Sequence, residues 1–345
     1  MTVIIDRYRH EDRAAVDALF RRVHGDAPAE SYLSRWRWQY ERNPNLPDGL
    51  PLIWLVRMDG DVIGQYATMP VRLMVNGTEI DAAWGMDVMI TPDHQRMGLG
   101  RVMFDTWDKG VGASIGLGLT DASAGLFKKM QWPDMGRVPR LVKPMSSRVQ
   151  DEPPTSGSLP ARMSHAVRNL ATRMRPIGGD VRRVTHFDDS ATRLWERVGR
   201  KFAFAVRRDA AYLNWKFVET AHLAYDIATL VEDGEMQGYV VIRHVEQLGW
   251  RATILADFMV DPGQPEAFRA LLRWVDREAI AARSDIIRVF TTHAGFATTL
   301  RQAGYLDRPP VMRFVARINA VEVSPGYYDS FAQWHVTVGD SDSDR

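Results

Sequence analysis

Four segments from the first half of the chain recur in the second, in the same order and at offsets of about 170 to 177 residues. "WRWQYER" from Trp36 has a counterpart in "LNWKFVE" from Leu213, and "LVRMDGDVIGQYA" from Leu55 in "LVEDGEMQGYVV" from Leu230. "GMDVMITPD" from Gly85 pairs with "LADFMVDPG" from Leu255, and "FKKMQW" ending at Trp132 with "LRQAGY" ending at Tyr305. Chance resemblance preserves neither order nor offset, so the chain reads as two copies of one folding unit. A length of 345 residues agrees, being long for a single core.

Each copy mixes strands and helices. In the first, Val3 to Tyr8 reads as a strand, and a helix follows with its apolar face on Val16, Leu19, Phe20 and Val23. Asp59-Gly60 and Asn76-Gly77 are hairpin turns between apolar runs. "GRVMFDTWDKGV" is helical, "ASIGLGLT" strand-like and "SAGLFKKMQW" a short helix, giving the order β-α-β-β-β-α-β-α and a mixed α/β layer. Ser146 to Pro160 is rich in Ser, Pro and Gly and reads as a linker, followed by an amphipathic connecting helix, "ARMSHAVRNLATRMR". The expected boundaries are an N-terminal domain at 1–145, a linker at 146–180, a C-terminal domain at 181–320 and a tail at 321–345.

Bulk composition removes several partners and chemistries. The net charge of +1 gives no electrostatic reason to expect nucleic acid or a membrane surface. Only six of the 44 basic residues are lysine, a bias attributed to genome composition rather than to a binding face. Without cysteine there is no disulfide, thiolate metal site or cysteine nucleophile, which agrees with a reducing compartment. The nine histidines lack metal-ligand spacing, so no metal is expected. The opening residues lack a basic stretch followed by an apolar core, and no apolar run approaches a membrane span, so a cytoplasmic location is expected.

The copies differ where chemistry would sit. After the strand ending at Ile90 the first continues "TPDHQRMGLGRV", with Gly98 and Gly100 where a helix begins. The second continues "DPGQPEAFRALLRWV", without the paired glycines, so the fold does not need them. A helix start leaves amides unpaired, the helix dipole favours an anion there, and glycine lets the anion approach. No phosphate loop of the Gly-x4-Gly-Lys-Ser/Thr kind occurs, and a dinucleotide fingerprint would follow the first strand and carry a third glycine.

Gln95 to Gly100, after a strand and a proline break, matches Q/R-x-x-G-x-G/A position for position. With Val88, Ile90 and Pro92, the opening "IIDRYRHEDRAAVDALF" and the closing "AGLFKKMQWPDMG", the sequence resembles the GCN5-related N-acetyltransferase (GNAT) superfamily. The resemblance covers residues 1–145, and 181–318 as a second copy degenerate at the turn; tandem GNAT proteins of bacterial surface-polysaccharide loci look similar. It implies two tandem GNAT-like mixed-sheet α/β domains and acyl-CoA, usually acetyl-CoA, as co-substrate. The amides of Arg96, Met97, Gly98, Leu99, Gly100 and Arg101 would hold the pyrophosphate, and main-chain groups of Val88 and Ile90 the pantetheine arm. A strand amide would polarise the thioester carbonyl.

The implied reaction is direct acyl transfer to a primary amine, with an amino sugar as the acceptor considered first. Asp87 is either a general base, its pKa raised by burial, or a carboxylate fixing two strands, as its counterpart Asp257 suggests. The family's tyrosine acid aligns with Phe127, so a proton would come from Tyr66 or Ser123, or the thiolate would leave unaided. Asp121 and Ser123 either contact the acyl donor or form a turn and helix cap. His94 reads as a solvated loop residue, Trp36 and Trp38 as packing, and "GDSDSDR" as a disordered, solvated end. Two other functions compete: aminoacyl-tRNA-dependent peptidyl transfer, which needs a basic groove, and non-catalytic acyl-CoA binding, which the missing tyrosine would suit.

Overall fold

The computed structural model describes residues 2–133, 135–146, 178–220, 222–247, 249–324, 326 and 331–341. The expected connecting helix at 161–175 lies outside the described residues. The chain divides into two compact units, the first comprising Met1–Arg137, Glu219–Leu223 and Met312–Ser330, the second the remainder.

With two additions, a helix at Asp26–Trp36 and a strand at Arg140–Pro144, the strands and helices of the first half follow the order read from the sequence. They are β1 (Val3–Arg7), α1 (Arg13–His24), α2 (Asp26–Trp36), β2 (Ile53–Met58), β3 (Asp61–Val75), β4 (Thr78–Ile90), α3 (Leu99–Lys109), β5 (Ala113–Leu117), α4 (Asp121–Lys129) and β6 (Arg140–Pro144). The second half runs β7 (Asp180–Val184), α5 (Asp189–Val198), β8 (Phe204–Val206), α6 (Ala210–Leu213), β9 (Asp226–Glu232), β10 (Glu235–Gln247) and β11 (Trp250–Val260). It continues through α7 (Pro265–Ala281), β12 (Ile286–Phe290), α8 (Ala294–Gln302), β13 (Leu306–Arg308), β14 (Phe314–Ile318) and β15 (Trp334–His335).

The first unit's sheet has the order β1-β2-β3-β4-β5-β14, the second unit's β13-β6-β12-β11-β10-β9-β7. Each sheet therefore takes a strand from the other half of the sequence: β14 pairs antiparallel with β5, and β6 with β12. Boundaries drawn along the chain at 145 and 320 do not follow this exchange.

Two apolar layers cover the first sheet. Alternate residues of β2 supply them: Trp54 and Val56 join Tyr66, Phe104, Trp107, Phe127 and Trp132 on one face. Ile53 and Leu55 join Tyr8, Val16, Phe20, Trp36 and Tyr40 on the other. Burial on both faces explains why these strands read as unbroken apolar runs. Trp36 is thus core, and Trp38, nearly buried, packs edge-on to His222 at 4.9 Å.

The repeat extends to an unusual detail. "WRWQYER" and "LNWKFVE" both end in a widened π turn, at Arg37–Glu41 and Asn214–Val218. Among the described residues, no helix is long and apolar enough to cross a membrane.

Candidate active site

β4 and β5 form a fork. Their parallel pairing consists of two rungs, Ala83 with Ser114 and Trp84 with Ile115, after which β4 runs on alone to Ile90 while β5 pairs away with β14. On its other side β4 bulges: Gln65 pairs with Met89 and Ala67 with Met86, leaving Asp87 and Val88 opposite Tyr66. Asp87 carries the kink, with φ at +37°, an unusual conformation for an aspartate inside a strand.

Where β4 ends, the amide of Thr91 bonds to the carbonyl of Ile63 at 2.9 Å, and the Gln95 side-chain amide donates to the Ile90 carbonyl at 3.3 Å. Arg96 and Gly98 then take left-handed conformations, φ +67° and +79°, and Gly98 caps α3 without a side chain. Alternation of this kind turns successive N–H groups to one side and makes an anion-binding concavity. Among the described residues the amides of Arg96, Met97, Gly98, Leu99 and Gly100 make no hydrogen bond, whereas that of Arg101 closes on the Gly98 carbonyl at 3.3 Å. A Cβ built on Gly98 would meet nothing within 4 Å, so open space faces the turn. Val88, Met97 and Val102 are exposed apolar side chains at the same fork and turn, 41%, 49% and 51% accessible.

Asp87 points the other way, into a buried clasp. Tyr40 Oη donates to its Oδ2 at 2.5 Å, and Arg35 Nη2 lies 3.6 Å from Oδ1, both ionic side chains being 7% exposed. Gln65 donates to the Asp87 carbonyl at 3.1 Å, and Gln39, on the π turn, lies against Met86. Oδ2 is therefore hydrogen-bonded while Oδ1 faces the Arg35 guanidinium without a hydrogen bond, and the clasp ties α2 and the π turn to the bulge. Asp257 is likewise held by an arginine and a tyrosine, though from different positions in its copy, with Arg208 Nη2 at 3.0 Å and Tyr239 Oη at 2.7 Å. Arg35 and Tyr40 do not stand out in the sequence, although the recurrence of "WRWQYER" is the signal that this segment matters.

Other candidates fall into ordinary roles. Thr120, not Asp121, caps α4: its Oγ1 accepts the Ser123 amide at 3.2 Å and donates to Ser123 Oγ at 3.1 Å. Asp121 is exposed and pairs with Arg313 at 2.8 Å. His94 is half-buried rather than fully solvated, its Nδ1 2.8 Å from Thr91 Oγ1. Phe127 is 4% exposed, 4.5 Å from the ring centroids of both Phe104 and Trp132. Tyr66 stacks on Trp107 at 4.8 Å, and burial pushes its hydroxyl pKa well above the usual tyrosine value, with Asp108 adding to the effect.

The second copy lacks the free nest. Asp261 takes the Gly263 amide on its side chain at 2.9 Å and the Gln264 amide on its carbonyl at 2.9 Å, and Pro265 has no N–H. Pairing between β11 and β12 reaches four rungs, to Leu255 with Val289. Beyond it lies the C-terminal segment: His335 Nε2 bonds the Phe258 carbonyl at 3.0 Å, Val336 bonds Thr292 at 3.0 Å, and a Cβ on Gly339 would stand 2.8 Å from the Ala256 carbonyl. The expectation of a solvated "GDSDSDR" end is corrected here. Asp340 and Ser341 are 2% and 3% exposed, because Asp340 joins Asp257 in neutralising buried Arg208 at 2.8 Å; residues 342–345 lie outside the described residues.

Residues 5–111 match the family model described as an acetyltransferase (GNAT) domain. The likeness to a GNAT domain thus spans about a third of the chain. No curated protein matches the sequence. Among solved structures, a probable N-acyltransferase of unknown function from Enterococcus faecalis is similar with a TM-score of 0.64 at 13% identity, over 92% of this chain and 73% of that one. A GCN5-related N-acetyltransferase from Anabaena variabilis gives 0.63 at 12% identity over the same shares. Saccharomyces cerevisiae N-myristoyltransferase with bound myristoyl-CoA gives 0.58 at 11% identity, over 91% and 82%. At these identities the likeness is one of fold: two mixed α/β sheets, as in tandem GNAT-like neighbours. Among the described residues no group of three or more His, Asp or Glu side chains could hold a metal.

Proposed function

We propose that the protein is an acyl-CoA-dependent N-acyltransferase that uses acetyl-CoA and passes the acyl group directly to a primary amine. The observation that carries this reading is the set of five unpaired amides at Arg96–Gly100, opening on free space at the tip of the β4–β5 fork. Pyrophosphate seats on those amides and on the positive end of α3. The free edge of β4 at Val88 and Ile90 supplies main-chain partners for pantetheine. At the bulge an amide of the kinked segment donates to the thioester oxygen as it becomes anionic.

In the reaction a neutral amine nitrogen attacks the thioester carbonyl, the C–N bond forms, the C–S bond breaks, and the proton released by nitrogen goes to the departing thiolate or to solvent. Asp87, its Oδ2 hydrogen-bonded to Tyr40 and its carboxylate buried beside Arg35, is assigned to holding the bulge rather than to removing the proton. An amino sugar remains the acceptor proposed first, by analogy with tandem GNAT proteins. Phe127 at the family's tyrosine position favours one competitor, acyl-CoA binding without turnover.

Calorimetry with CoA and acetyl-CoA, followed by thiol release over amino sugars, polyamines and amino acids, tests the proposal. Binding with amine-dependent thiol release supports it; binding with no release across the panel supports the non-catalytic alternative. Absence of CoA binding removes both.

A further inference from the structure

The floor of the fork is filled with aromatic rings. Gly85 is the first β4 residue beyond the last rung, and a Cβ there would collide with Tyr66 Oη and stand 3.3 Å from Trp107. Tyr66 is 1% exposed, stacked on Trp107 at 4.8 Å and edge-on to Phe104 at 5.0 Å. Behind it Trp107 stacks on Trp132 at 5.5 Å, and Phe127 closes against Phe104 and Trp132. Tyr66 is also the residue of β3 that faces the bulge, where its neighbours Gln65 and Ala67 pair on either side of Asp87 and Val88.

We infer that Tyr66, backed by Trp107 and admitted by Gly85, sets the length of acyl group the site accepts and limits it to short chains. This rests on the acyl-CoA reading above. With pyrophosphate at the turn, the pantetheine arm runs down β4 towards the bulge, and the acyl group continues towards the rungs. From the bulge at Asp87 to the floor at Gly85 only Met86 intervenes, about 7 Å of strand, room for about two to four carbons. A longer chain would have to displace rings that are 0–5% exposed and mutually stacked. Tyr66 acts here as a specificity residue through shape, not as a proton donor.

Calorimetric titration of the full chain with CoA, acetyl-, butyryl-, hexanoyl- and octanoyl-CoA tests the inference without knowledge of the acceptor. Acetyl- and butyryl-CoA should bind within threefold of each other, and octanoyl-CoA at least 30-fold more weakly. Tyr66→Ala should bring octanoyl-CoA to within about threefold of acetyl-CoA, whereas Tyr66→Phe, which keeps the ring, should retain the limit. Should Tyr66→Ala not fold, Tyr66→Leu serves, and the unmodified protein's own chain-length profile still decides. Equal affinity for octanoyl- and acetyl-CoA in the unmodified protein would overturn the inference while leaving the acyl-CoA reading intact. So would an unchanged profile in a folded Tyr66→Ala or Tyr66→Leu. Failure of CoA itself to bind would instead overturn the underlying reading and this inference with it.

Discussion

Gly98→Asp separates the anion site from the fold. Gly98 has φ at +79°, and a Cβ at this position would have no atom within 4 Å, so aspartate enters without a clash in the ligand-free protein. Left-handed backbone costs a non-glycine residue about 1 kcal/mol, less for aspartate, and a carboxylate at a helix start returns about 0.5 kcal/mol. The net change in stability is therefore under about 1 kcal/mol, a melting shift of no more than roughly 3 °C. Binding should respond on another scale. A carboxylate about 4 Å from a pyrophosphate charge costs on the order of 4 kcal/mol at an effective dielectric of 20. That corresponds to a roughly thousandfold rise in the Kd for CoA. Gly98→Asn, equally tolerant of the backbone but neutral, should lose far less. Calorimetry beside a thermal melt reads both quantities. A folded Gly98→Asp protein that binds CoA within threefold of the original would refute the argument.

Other outcomes follow from the buried clasps and the C-terminal segment. Asp87→Asn leaves Arg35 without its anion, so melting should reveal a loss of about 3 kcal/mol. In the same variant acyl transfer should fall at least tenfold while the CoA Kd stays constant; unaltered turnover per folded molecule would confine Asp87 to stability. Asp340→Ala should cost about 3 kcal/mol, because Arg208 loses one of two buried anions, without changing CoA affinity at the first unit. His335 is fully buried, and burial, helped by Arg208 and His293, holds its pKa well below the ordinary 6.5. Below pH 6.5 the unfolded chain binds a proton that the fold rejects, so stability should fall with acid by about 1.4 kcal/mol per pH unit. Denaturant titrations from pH 7.5 to 5.5 should show this slope, and His335→Gln should flatten it.

The parts of the fold legible in the sequence are those with local causes. Asp59-Gly60 and Asn76-Gly77 predict hairpins because both residues of such a turn need positive φ, and all four have it. Gly98 predicts the turn for the same reason. The interior of the site is less legible. Asp87 attracts attention as a lone carboxylate in an apolar strand, but its partners Arg35 and Tyr40 lie about fifty residues upstream on a helix and turn whose apolar spacing gives no distinct signal. Tyr66 gives no sign that it will fill the space above Gly85, because that apposition arises across two strands at a bulge. The C-terminal residues mislead for a related reason. "GDSDSDR" is polar enough to be solvated, and only the fold brings Arg208 within reach of Asp340. The exchange of β6 and β14 between sheets likewise has no local marker, since any apolar strand could pair at either edge.

The central claim concerns main-chain donors, so backbone amide NMR of the full chain during CoA titration addresses it most directly. The resonances of Arg96, Met97, Gly98, Leu99 and Gly100 should shift together and saturate with one Kd, and inorganic pyrophosphate should move the same set. Amides that stay still while CoA binds, or shifts confined to the Asp261–Pro265 turn, would contradict the account.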